Sequence, residues 1–195
     1  EKETLFVPGH LRVLTAQEHP IFFKTSLYEN LIYGMKASSP AASRERVMAI
    51  CGLLGVLERA KPYLSQDAHE DWYATFSAVE CKLLGIARAL VNNFEITCFH
   101  KPTTGVTAAD RTRVFDTITK HCQERGLVPS TDLSVIQKRA RTVFVSTQQI
   151  NAQVAHYSQD IISLKKEGSV YMTPEEIEEV VQAEEHHHDE SPIKR

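Results

Sequence analysis

Between Ser77 and Phe99 the chain changes its hydrophobic period once, and that change restricts the fold more than any other feature. Val79, Leu83, Leu84, Ile86, Ala87, Leu90 and Val91 recur at the spacing of one helix face, with Ser77 placed to cap it. After Asn92 and Asn93 the residues 96 to 99 read as a short buried strand. A helix feeding directly into such a strand predicts an α/β layer.

The same alternation runs through the rest of the chain. Residues 11 to 16 (LRVLTA) read as a strand that Gln17, Glu18, His19 and Pro20 turn into a loop. Ser26 and Glu29 form a capping box for a short helix that Gly34 stops. Ser43 opens another helix, with Val47, Ile50, Leu53, Leu54 and Leu57 predicted on one face before Pro62. Residues 108 to 125 read as a helix ended by Gly126, residues 142 to 146 as a strand, and residues 149 to 157 as a helix. Strands at 161 to 164 and 170 to 172 follow, and Thr173, Pro174 and Glu176 start a last helix. That helix is expected to dissolve at Glu184 and Glu185 into three histidines and a charged tail.

At 195 residues the chain suits one domain with a tail, or a piece of something larger. Apolar residues at 42% are enough for a core, which excludes a chain disordered throughout. The net charge of -3 has no basic stripe behind it, so nucleic acid is not an expected partner. Cys51, Cys81, Cys98 and Cys122 are too widely spaced for paired zinc ligands and too sparse for a disulfide scaffold; a reducing compartment suits them. Cys98 reads as a small buried hydrophobe. His186, His187 and His188 beside Asp189 read as solvent-facing tail residues, and no metal site is expected. No apolar stretch reaches the length a bilayer core requires. The chain opens at Glu1 without a methionine, and an upstream portion is expected to matter.

The order of segments resembles the second half of an ATP-binding-cassette (ABC) nucleotide-binding domain of the exporter type, across residues 11 to 176. Gln17 with QEHPIFFKTSLYENLIYG is similar to the Q-loop and the segment after it. FSAVE, residues 76 to 80, stands where the family has LSGGQ, and GIARAL follows at the family's spacing. ITCFHKPTTGVT resembles the Walker B strand and D-loop, and RTVFVSTQQI the switch-histidine strand. The resemblance implies a P-loop NTPase-like α/β fold whose N-terminal subdomain is incomplete in this chain. It also implies a partial nucleotide-binding domain over residues 1 to 176, a helical subdomain at about 35 to 92, and a charged helix end and tail over 177 to 195.

The departures bear on function. No glycine pair at P-loop spacing is followed by Lys and Ser or Thr, so the Walker A half was cut away or lost. His100 stands at the Walker B aspartate position, where magnesium prefers hard oxygen ligands. Lys101 replaces the adjacent glutamate, and an ammonium can neither accept a proton nor orient an attacking water. Gln148 stands in for the switch histidine, and Thr107 for the D-loop aspartate. In the signature segment Ser77 keeps its identity, Ala78 and Val79 add side chains where glycines approach phosphate, and Glu80 brings a negative charge. Each lost group costs roughly 10² to 10³ in rate, so turnover is not expected.

The resemblance therefore implies a degenerate, non-hydrolytic nucleotide-binding domain of a membrane-associated transporter, on the cytosolic or organelle-matrix side. Gln17, Ser77 and Glu80 are its candidate nucleotide contacts; ATP would bind weakly and magnesium poorly. Its expected partners are membrane-domain helices touching residues 17 to 33, or a second ABC domain whose P-loop faces Ser77. An upstream segment or another chain is expected to cover the sheet. The alternative is an ABC-derived scaffold subunit with no nucleotide turnover. A third reading, an active ATPase with relocated groups, finds only Asp110 nearby, better placed as a helix-terminus residue. The stretch 127 to 140 is longer than the family's usual link and reads as a surface insertion or a docking element.

Overall fold

The computed structural model describes residues 7–66, 68–127, 139–165 and 168–189. They fall into two compact units, one up to Ser146 and one from Thr147. In the first, β1 (Val13–Ala16), β2 (Ile96–His100) and β3 (Thr142–Ser146) form a parallel sheet in the order β1-β2-β3. The registers Leu14↔Thr97↔Val143 and Ala16↔Phe99↔Val145 put these residues on one face. Thr97 and Phe99 are buried there, and Leu14, Ala16, Val143 and Val145 pack on the core. The alternate residues face the other way, where Val13 is 42% and Phe144 54% exposed. Cys98 lies on that face and is only half buried, which corrects its reading as a core residue; a period-2 strand puts its neighbours Thr97 and Phe99 inside instead.

The core is built by helices against the covered face. α1 (Leu27–Leu31) starts from the expected Ser26–Glu29 capping box. A turn of 3-10 helix (Pro40–Ala42) leads to α2 (Arg44–Leu53), capped by Ser43. The single apolar face expected from Val47 to Leu57 is in fact two helices. Gly55, at φ +76, ends the first, and α3 (Leu57–Leu64) begins anew; Leu53 is left 37% exposed. Pro62 does not stop α3, which runs on two residues until Leu64 is buried. α4 (Trp72–Thr75) inserts Trp72 beside Phe76 and Tyr63.

α5 (Ala78–Asn92) is the central helix of this unit. Leu84, Ala87, Leu90 and Val91 are wholly buried, and Asn93 closes it in a left-handed conformation at φ +53, which asparagine tolerates better than most residues. α6 (Ala108–Gln123), two residues shorter than expected, buries Val114, Phe115, Thr117, Ile118 and His121. The extension at 127 to 140 lies outside the described residues between 128 and 138. Its near end is tied down, since Arg46 Nε donates to the Leu127 carbonyl at 2.8 Å.

In the second unit α7 (Ala152–Tyr157) begins at an Asn151 cap rather than at Gln149. β4 (Ile162–Lys165) and β5 (Gly168–Tyr171) pair antiparallel, and α8 (Pro174–Asp189) follows. Thr173 and Glu176 make the expected capping box. The helical backbone does not dissolve at Glu184 but continues through the three histidines to Asp189. No described helix is long and apolar enough to cross a membrane.

Candidate functional site at the carboxyl ends of the parallel strands

Because all three strands run the same way, their last residues share one edge of the sheet, and open α/β sheets take ligands outside that edge. Ala16 pairs with Phe99, so Gln17 emerges from β1 beside His100, and His100 pairs in turn with Ser146. Three of the strand-end residues are thus in one row. Gln17 is exposed and helps line a cleft of about 400 Å³ with Ile21, Tyr33, Arg88, Asn92 and Phe94.

His100 Nδ1 lies 2.9 Å from Ser146 Oγ. The Lys101 backbone N–H donates to both Ser146 Oγ and the Ser146 carbonyl, each at 3.2 Å. The hydroxyl thus accepts from Lys101 and has its own proton free for the imidazole. Lys101 turns the chain at φ +48, a left-handed conformation uncommon for a side-chain-bearing residue. At this turn the chemistry consists of an imidazole, an ammonium and a hydroxyl.

The carboxylates nearest in sequence are engaged elsewhere. Asp110 Oδ2 accepts from Thr107 Oγ1 at 2.8 Å and Oδ1 from Arg113 at 2.6 Å, so it closes the first turn of α6 as a helix-terminus group. Glu18 faces Lys82 Nζ at 3.4 Å. Among the described residues no group of three His, Cys, Asp or Glu side chains is placed to hold a metal ion.

Ser77 and Glu80 sit at the head of α5, with Ala78 and Val79 as its first turn. Ser77 Oγ accepts from the Glu80 N–H at 3.2 Å, and the Glu80 carboxylate accepts from the Ser77 N–H at 2.8 Å. Arg59 Nε donates to the same carboxylate at 3.1 Å. Burial pushes the Glu80 carboxyl up, but the Ser77 hydrogen bonds and the Arg59 guanidinium outweigh it and hold it below the usual range. The helix N-terminus is thereby filled by the chain's own anion. Ser77→Ala is expected to cost about 1 kcal/mol, read as a lowered urea midpoint with unchanged slope. No loss would show that the box adds nothing to the first turn.

Gln148, the second residue of the second unit, is exposed in a bend. Three side chains that bear on the site escaped the sequence reading: Ser146, Glu18 and Lys82. Ser146 needed the β2–β3 register to be found. Lys82 left a signal, being a lysine between Cys81 and the buried run that starts at Leu83.

No family model matches the chain, and no curated protein matches it. Among solved structures the chain is similar to a bacterial Atm1-family ABC exporter with ATP bound, at 16% identity and a TM-score of 0.63. The match covers 94% of this chain and 29% of that one, so the chain spans less than a third of the exporter's length. At that identity the likeness is one of fold alone.

Proposed function

We propose that the chain is part of a degenerate, non-hydrolytic nucleotide-binding domain of an ABC-type transporter, over residues 1 to 176 with a helical subdomain at about 35 to 92. The observation that carries this reading is the β2 exit, where His100 and Lys101 present an imidazole and an ammonium, the imidazole beside the Ser146 hydroxyl and the Lys101 backbone N–H bonded to Ser146. That donor set does not fit magnesium, which takes oxygen ligands and keeps much of its water. Lys101 has no lone pair to steer a nucleophile. Any nucleotide bound by the chain would be held by charge and hydrogen bonds, with Lys101 as counter-charge and Gln17, Ser77 and Glu80 as the candidate contacts. Conformational change would pass to membrane helices through residues 17 to 33, and a partner ABC domain would face Ser77 with its P-loop. The exposed Val13 and Phe144 support a covering portion, upstream or in another chain, because parallel sheets are normally packed on both faces.

Titrating the intact protein with a labelled ATP analogue, with and without magnesium, tests this. The expected result is weak binding that magnesium does not strengthen, and no sustained phosphate release. Phosphate release abolished by His100→Ala or Lys101→Ala would overturn it. One observation favours the scaffold reading, in which the fold persists without nucleotide: the Glu80 carboxylate already occupies the α5 N-terminus where a phosphate would approach. Absence of binding at millimolar analogue would select that reading.

A further inference from the structure

Lys82 lies in the second turn of α5 with its side chain only 8% exposed. An ammonium at that depth is costly unless its charge is met. Its Nζ donates to the Thr104 carbonyl at 2.5 Å and to Glu18 Oε1 at 3.4 Å. The two acceptors belong to different loops. Glu18 follows Gln17 directly after β1, and Thr104 sits in the turn after β2, between Lys101 at φ +48 and Gly105 at φ +73. Within that turn the Thr104 N–H to Lys101 carbonyl bond is long, at 3.4 Å, while its ends are fixed by the Lys101 N–H on Ser146 and by the buried Val106. The helix bearing the lysine is firmly packed: Leu83, Leu84, Ile86 and Ala87 are all 3% exposed or less.

We infer that Lys82 is a positioning residue that latches the loops after β1 and β2 to α5, so that a displacement of residues 17 to 20 is handed to residues 101 to 107. The inference deepens the proposed function, which makes residues 17 to 33 the surface a partner moves. It gives that motion a route to the β2 exit that needs no bound nucleotide. The chemistry suits a latch. A lysine reaches both acceptors on a four-carbon stem, and the partners are one charged oxygen and one carbonyl. Glu18, with 21% of its side chain exposed, can turn to water when the ammonium is removed. Loss of the contact therefore frees the loops and leaves the apolar packing of α5 in place.

Amide hydrogen exchange on the full chain, compared among wild type, Lys82→Met, Lys82→Arg and Glu18→Ala, tests the latch. Methionine keeps the buried volume and removes the charge. Lys82→Met is expected to speed exchange about tenfold in both 17–20 and 101–107 while α5 and β2 stay protected. Glu18→Ala, which touches only the first loop, is expected to speed exchange in 101–107 as well, and Lys82→Arg to restore much of the protection. The inference is overturned if Glu18→Ala affects 17–20 alone, or if Lys82→Met raises exchange evenly across the chain, as loss of an ordinary core residue would. The readout involves no nucleotide, so failure of the ATP titration and failure of the latch are told apart.

Discussion

Replacing Arg46 with alanine is expected to destabilise the first unit by about 3–5 kcal/mol, because it takes the donor from several buried carbonyls at once. Arg46 is 3% exposed and sits on α2 with no carboxylate as its principal partner. Its guanidinium donates to the Ala41 carbonyl at 2.6 Å, the Val91 carbonyl at 2.8 Å, the Leu90 carbonyl at 3.3 Å and, through Nε, the Leu127 carbonyl at 2.8 Å. Leu90 and Val91 lie in the last turn of α5, where unpaired carbonyls gather and a cation is favoured. Burial lowers the guanidinium's pKa to about 10, which still leaves it charged at neutral pH. One side chain thus joins the turn before α2, the end of α5 and the segment after α6. Truncation strands four buried acceptors, each worth roughly 1–3 kcal/mol when unsatisfied, with water recovering part. Arg46→Lys keeps the charge but cannot span the fork, so a loss of about 2 kcal/mol is expected. Urea midpoints at constant slope measure both. A loss under about 1 kcal/mol for Arg46→Ala would mean that water already serves these carbonyls.

What could be read ahead of the structure follows from sequence separation. The boxes at Ser26–Glu29 and Thr173–Glu176 close over three residues and were legible because hydroxyl and carboxylate spacing alone sets the hydrogen bonds, whereas at Ser77 the cap was read and the return bond to Glu80 was not. The strands at β2 and β3 were legible from branched and aromatic runs. The break between α2 and α3 was not. Leu53, Leu54 and Leu57 keep helical spacing across Gly55, and only the positive φ adopted there separates them. Arg46 looked like one more charge on a helix, since its carbonyl partners at 90, 91 and 127 lie 44 to 81 residues away. The candidate site divides the same way. His100 and Lys101 were found by position in a motif, whereas Ser146 and the Glu18–Lys82–Thr104 contact exist only once parallel strands set their ends side by side.

Acid is expected to weaken the first unit through His121. This residue, on the inner face of α6, is 1% exposed, and its Nδ1 has no hydrogen-bond partner among the described residues. Burial is the main cause that lowers its pKa to about 4; the Arg141 and Arg46 guanidiniums add to it. The unfolded chain takes up the proton near 6.5 and the folded one only near 4, so the unfolded state binds more protons across that window. The stabilisation is therefore complete above pH 6.5, falls as the pH drops to 4, and changes no further below. A difference of 2.5 units at 1.36 kcal/mol each is about 3 kcal/mol. Glu95, held at about 2 chiefly by the Arg12 guanidinium, loses its own contribution only as the pH falls from 4.5 toward 2, which leaves the range from 6.5 to 4.5 to the histidine. The check compares wild type with His121→Leu. Leucine carries no titrating group, so its urea midpoint should stay nearly level from pH 6.5 to 4.5 while the wild-type midpoint declines. Two curves that decline in parallel would place the acid sensitivity elsewhere and leave His121 with a packing role alone.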